Sequence, residues 1–156
     1  MLFELLFFIN QNLVYFIICY YLRRKLFKSI HNAFGGNLIK IVTGGAPIRA
    51  ELGSFFDSIG INLINGYGIT ECSPLVSANR DYFNDCATVG VPLSCVEIKF
   101  ENVTPEGDGE ICVKGDTVML GYYKNEKLTN EVLQNGWFKT GDYGRMNEKG
   151  QLLITG

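Results

Sequence analysis

Three short stretches of this 156-residue chain join glycine to residues that could hold a nucleotide. Gly44-Gly45-Ala46-Pro47 has small side chains, which let a flat ring come close to the backbone; with no Gly-Lys-Ser/Thr after it, it is not a phosphate-binding P-loop. Gly66-Tyr67-Gly68-Ile69-Thr70-Glu71 offers an aromatic face to a base, a hydroxyl to a phosphate oxygen and a carboxylate suited to Mg²⁺. Gly136-Trp137-Phe138-Lys139-Thr140-Gly141-Asp142 is an aromatic strand running into a Gly-Asp corner, where a carboxylate could accept two ribose hydroxyls. Each stretch also has a plainer reading. The first is a turn, Thr70 and Glu71 cap a helix while Tyr67 packs on the core, and Asp142 binds its own backbone.

The elements around these stretches decide between the readings. Leu38 to Val42 reads as a buried strand ending at the first stretch, and Arg49 to Ile59 reads as a helix closed by Gly60, with Leu52, Phe55, Phe56 and Ile59 at helical spacing. Ile61 to Ile64 is a second strand. Strand, helix, strand predicts a parallel βαβ unit, with both glycine stretches at the same edge of the sheet, where such sheets bind ligands. Upstream, Leu22 to Phe34 reads as a helix stopped at Gly35-Gly36. After Pro74 the chain turns β-rich, with strands at Val96 to Phe100, Glu110 to Val113, Trp137 to Lys139 and Leu152 to Ile154. A helix over Glu126 to Leu133 stops near Asn135-Gly136, and Asn147 to Gly150 is a hairpin turn. The stretches Gly109 to Gly115 and Met119 to Tyr123 read as scaffolding without chemistry.

Composition narrows the classes. With 47% hydrophobic and 19% charged residues the chain is globular, and a net charge of −2 gives no case for nucleic acid. The cluster Arg23, Arg24, Lys25 and Lys28 reads as a solvated helix face. Five cysteines without a CxxC pair and a single histidine, His31, argue against a disulfide framework, a transition-metal site and a Ser/His/Asp triad; His31 reads as structural. Residues 2–22 are mostly apolar, but Glu4 and Asn10-Gln11-Asn12 interrupt them, so a buried or membrane-surface helix fits better than a spanning one. No signal peptide is evident.

Taken in order, the phrase from Gly44-Gly45-Ala46-Pro47-Ile48 through Gly66-Tyr67-Gly68-Ile69-Thr70-Glu71-Cys72-Ser73-Pro74, followed by Gly141-Asp142, resembles the adenylate-forming superfamily, and most of all its long-chain fatty acyl-CoA synthetases. The resemblance runs from about Leu26 to Gly156. It implies the α/β fold of that family's large N-terminal domain, with a βαβ unit followed by a β-rich subdomain; residues 1–25 would be an apolar helical segment and 26–156 part of an AMP-binding domain. By the same resemblance Gly45, Ala46 and Pro47 border the adenine and Tyr67 lies against it. Thr70 and Glu71 serve the α-phosphate and Mg²⁺, Asp142 holds the ribose, and Gly44, Gly66 and Gly68 leave room for the acyl chain. The implied reaction joins a fatty acid to ATP, giving acyl-AMP, and passes the acyl group to coenzyme A. The implied setting is cytoplasmic, with the N-terminal segment offering a peripheral membrane contact. The family's phosphate loop and its lysine-bearing C-terminal domain are not in this sequence, so the chain is expected to be an internal fragment, inactive alone. Tyr143 stands where relatives usually have an aliphatic residue.

Overall fold

The computed structural model describes residues 18–46 and 48–156, which leaves most of the apolar N-terminal segment and Pro47 outside the described residues. The chain divides into two compact units, one made by the chain up to Ile41 with Glu51–Leu63, the other by Val42–Ala50 with Ile64–Gly156.

In the first unit residues 18–26 are helical and lead through Phe27 into α1 (Lys28–Ala33). Gly35 and Gly36, both at φ 80°, end the helix as their missing β-carbons allow. Helix α2 (Ala50–Ser58) is closed by Gly60. Ile59 and Ile61 are fully buried, and His31 Nε2 donates to the Ile59 carbonyl at 2.8 Å, so the single histidine is a buried structural group. Of the basic cluster expected to form a solvated face, Arg23, Lys25 and Lys28 are exposed and Arg24 is half-buried, and both arginines also bind backbone. Arg24 donates to the carbonyls of Gly36 and Leu38 at 2.7 and 3.0 Å, and Arg23 to that of Asp57 at 3.1 Å, because chain ends after helices carry unpaired carbonyls that a guanidinium satisfies. Among the described residues no helix is long and apolar enough to cross a membrane.

Strand β1 (Lys40–Thr43) and β2 (Asn62–Gly68) are neighbours in a sheet ordered β1-β2-β3-β4, with β3 at Leu75–Ala78 and β4 at Val91–Pro92. With α2 between them in the chain, β1 and β2 make the expected strand–helix–strand unit. Two expectations change. β1 is not buried, since it forms the sheet's edge and its residues alternate between exposed and half-buried. β2 runs on through Gly66-Tyr67-Gly68 instead of ending before them, because those residues pair antiparallel with β3: Gly66 faces Ala78, Tyr67 faces Ser77 and Gly68 faces Leu75. A β-carbon on Gly66 would sit 3.0 Å from the Ser77 carbonyl, and one on Gly68 would overlap the Pro74 carbonyl. Glycine at 66 and 68 therefore answers to the close approach of β3.

The second sheet lies wholly in the second unit. It is ordered β5 (Val96–Glu101), β6 (Gly109–Gly115), β8 (Trp137–Met146), β7 (Leu133–Gln134), with β9 (Leu152–Ile154) also pairing β8. Helix α3 (Glu126–Val132) is capped by Asn125, whose side chain accepts from the Leu128 amide at 3.2 Å. Asn135-Gly136, at φ 53° and 79°, turns the β7–β8 hairpin instead of directly stopping the helix. The hairpin expected at Asn147 to Gly150 joins β8 to β9. Strand β8 is far longer than the three residues expected, and Gly141-Asp142 lies within it rather than at a corner. The core of this unit takes Tyr67 and Val76 from one sheet and Ile111, Val113, Phe138 and Leu152 from the other.

Between β3 and β4 the chain returns through Gly90 at φ 78°, where an added β-carbon would overlap the Ala78 backbone. Gly90→Ala should therefore lower stability to urea by more than about 3 kcal/mol, the sum of an unfavourable φ and a backbone clash. An unfolding midpoint equal to that of the unsubstituted chain would show that this turn can move aside.

Candidate functional site

A cavity of about 310 Å³ in the second unit collects most of the residues singled out in the sequence: Gly45 and Ala46 from the turn after β1, Gly66, Tyr67 and Gly68 from β2, and Asp142 from β8. Ile48, Asn65, Ile69, Ile154 and the run Cys86, Ala87, Thr88 and Val89 complete its wall. The turn after β1 comes close to β2 because Gly44 has no side chain; a β-carbon there would stand 3.0 Å from the Gly66 carbonyl.

Asp142 reaches the cavity by way of a bulge. Pairing between β6 and β8 joins Glu110 to Tyr143 and Cys112 to Lys139, so Thr140, Gly141 and Asp142 together oppose the single residue Ile111. Gly141 takes φ 79°, which few other residues would accept. The Thr140 hydroxyl donates to the Ile111 carbonyl at 2.8 Å and accepts from the Asp142 amide at 3.1 Å, which anchors the bulge. The Tyr67 hydroxyl then donates to Asp142 Oδ2 at 2.5 Å, across 75 residues of sequence. Burial, and after it this bond to Asp142, push the Tyr67 phenol well above the ordinary tyrosine range.

Glu71 lies elsewhere. It follows the last turn of β2 in a short 3₁₀ helix (Thr70–Cys72) whose N-cap makes no side-chain cap hydrogen bond, so the capping alternative for Thr70 and Glu71 does not describe it. Its carboxylate faces a second cavity of about 300 Å³, which shares Ile69 with the first and is also lined by Glu110, Tyr122, Glu131 and Lys139. The Tyr122 hydroxyl donates to Glu71 Oε1 at 2.9 Å and is itself raised in pKa, chiefly by that bond. Tyr122, read from sequence as scaffolding, is thus tied to a candidate site residue. Thr70 is exposed and lines neither cavity. Pro47 is outside the described residues.

The donor set fits one hard cation poorly by itself and adequately with a phosphate ligand. No group of three His, Cys, Asp or Glu side chains gathers among the described residues, so Glu71 would supply a single carboxylate. Mg²⁺ is commonly bound by one or two carboxylates, with water and substrate phosphates filling its octahedron.

Sequence reasoning missed Asn65 and the run from Cys86 to Val89. Asn65 is 3% exposed, lines the cavity, and its side-chain oxygen has no hydrogen-bond partner. A buried acceptor without a partner costs free energy until something donates to it, so this oxygen is available to a donor that enters the cavity. Its signal was an amide amid the apolar residues of β2. Residues 86–89 carry no motif; they reach the cavity because Asn79, 4% exposed, holds their loop by donating to the Asp85 and Thr88 carbonyls at 3.1 and 2.9 Å.

Comparison with known proteins adds to this geometry. The AMP-binding enzyme family matches residues 13–123. A long-chain-fatty-acid–CoA ligase of Mycobacterium bovis is 40% identical over 135 residues, covering 85% of this chain and 21% of the ligase. Among solved structures, o-succinylbenzoate CoA synthetase of Bacillus subtilis with a product analogue superposes with a TM-score of 0.69 at 32% identity, over 75% of this chain and 25% of that one. The same enzyme in complex with ATP and magnesium gives 0.67 at 33% identity, over 74% and 26%. The chain thus spans about a fifth of the length of the curated relatives it matches.

The buried phenol makes the fold sensitive to alkali. Unfolded, Tyr67 titrates near the ordinary value of about 10; folded, its value is higher. The stability it contributes is therefore complete below about pH 10 and is lost as pH rises from there toward the folded value. Urea midpoints should fall above about pH 10, and Tyr67→Phe should flatten that fall. An identical alkaline profile in the variant would contradict the assignment.

Proposed function

The chain belongs to the AMP-binding enzyme family, and from that premise we propose that it is the adenylate-binding part of an AMP-forming long-chain fatty acid–CoA ligase. The observation that carries this reading is the meeting, in one cavity, of a small-residue turn, a buried tyrosine ring and an acidic side chain from a strand 75 residues away. Gly45 and Ala46 leave one wall thin enough for a flat base. Tyr67 presents its ring, and Asn65 presents an acceptor suited to an exocyclic amine. Asp142 takes the ribose hydroxyls. Glu71, with Thr70 beside it, serves the phosphate end, where a magnesium ion would be held by Glu71 and by ATP itself; when bound, that ion neutralises charge on the phosphates.

The reaction of the whole ligase belongs to the same proposal. A fatty acid attacks the α-phosphate of ATP, releasing pyrophosphate and leaving acyl-AMP, and the acyl group then passes to the coenzyme A thiol with release of AMP. This stretch binds and orients, while the phosphate loop and the catalytic lysine expected of the family would come from sequence outside it. The chain by itself is expected to bind adenylate without turnover. Peripheral membrane contact is part of the reading too. Ile18, Tyr21, Leu22 and Leu26 recur at helical spacing on the helix over residues 18–26, and all four are exposed, as a surface-lying helix requires.

Fatty-acid-dependent ATP–pyrophosphate exchange tests the reading, measured on the chain alone and on the same segment grafted into a complete relative. The graft should exchange and the isolated chain should not. In the graft, Glu71→Ala should cut exchange by about 100-fold or more, through lost metal positioning, while Asp142→Ala should mainly raise the KM for ATP. Wild-type rates and KM in both variants would sink the site assignment. A folded graft without exchange would instead favour a non-catalytic adenylate-binding remnant, and exchange with aromatic acids alone would move the substrate class.

A further inference from the structure

Asp142 is held at two points. The bulge at Gly141 and the bond from its amide to the Thr140 hydroxyl fix where its backbone stands, 3.1 Å from Thr140 Oγ1. Neither fixes its carboxylate, since the last torsion of an aspartate is broad and the group is free to turn toward nearby backbone amides. The remaining constraint is Tyr67. Its ring is part of the buried core of the second unit, so its hydroxyl has little freedom, and it donates to Oδ2 at 2.5 Å.

We propose that the Tyr67 hydroxyl is a positioning group that locks the plane of the Asp142 carboxylate, presenting its acceptors to a vicinal diol of a nucleoside before the ligand arrives. The inference rests on the nucleotide reading above and adds to it a second job for Tyr67, separate from the contact its ring makes with a base. Each carboxylate oxygen has two acceptor directions, so Oδ2 keeps one for a ligand hydroxyl while it receives the phenol. A carboxylate left to rotate would have to be ordered by the ligand at the ligand's expense; one already oriented is not. The phenol, held protonated by its buried surroundings, can only donate to the carboxylate.

A hydroxyl that merely satisfied itself in the core would affect every ligand alike, whereas a positioning hydroxyl affects only ligands that carry the diol. The test is calorimetric titration of the complete chain with AMP and with 2′,3′-dideoxy-AMP, comparing wild type, Tyr67→Phe and Asp142→Asn. Tyr67→Phe, which keeps the ring, should weaken AMP about 5- to 10-fold, the scale of losing one charge-assisted hydrogen bond's orienting effect. It should leave the affinity for the dideoxy ligand unchanged. Equal weakening of both ligands, or of neither, overturns the proposal while leaving the nucleotide reading intact, provided that wild type prefers AMP and Asp142→Asn loses the preference. If wild type makes no distinction between the two ligands, the reading of Asp142 falls and the proposal falls with it. Should Tyr67→Phe fail to fold, 3-fluorotyrosine at position 67, nearly the same size and a stronger donor, serves instead. A change in AMP affinity without a change for the dideoxy ligand supports the proposal, and parallel changes reject it.

Discussion

The closeness with which β3 runs beside β2 is the constraint on which the rest of the site depends. Gly66 and Gly68 alternate with Tyr67 along β2, and side chains at 66 or 68 would press on the backbone from Pro74 to Ser77. With those two positions empty, β3 pairs directly against Tyr67, whose ring is buried in the core shared with the second sheet and whose hydroxyl reaches Asp142 on β8. Gly44 repeats the device on the other side, letting the turn after β1 come up to the Gly66 carbonyl. At Gly45, Gly66 and Gly68 the cavity wall therefore carries backbone without side chains.

A second pattern is electrostatic. Two carboxylates carry the candidate chemistry, and each receives a phenol from a distant part of the chain: Asp142 from Tyr67, and Glu71 from Tyr122. In both pairs the phenol is pushed up in pKa and so remains a donor. A neutral donor restrains an acidic side chain without cancelling its charge, as a lysine or arginine would. The carboxylate is thereby held in place while it stays attractive to hydroxyls or a cation. That the two acids line different cavities sharing Ile69 fits a ligand with chemically distinct ends.

Much of this was readable before folding. The strand–helix–strand unit followed from apolar spacing and from Gly60; β9 and the turn at Asn147 to Gly150 followed from β-branched runs and turn residues. Each of these signals is local, set by residues within a few positions of one another. What escaped was set at a distance. β3 and β4 have no strong alternation of their own: β3 exists because β2 offers it a partner, and β4 because β3 does. The loop from Arg80 to Val89 carries no motif, and it faces the cavity only because the buried Asn79 amide holds its backbone carbonyls.

The sequence by itself determined which residue types were available for binding and which short elements would carry them, since glycine spacing, apolar period and turn chemistry act over one or two turns of chain. Tertiary structure alone decided which of them meet. Tyr67 and Asp142 are 75 residues apart and share a hydrogen bond, whereas Tyr67 and Glu71, four residues apart, line different cavities. The physical reason lies in strand pairing. Register between β2 and β3 and the bulge in β8 set the direction of each side chain, and both depend on backbone hydrogen bonds to strands remote in sequence.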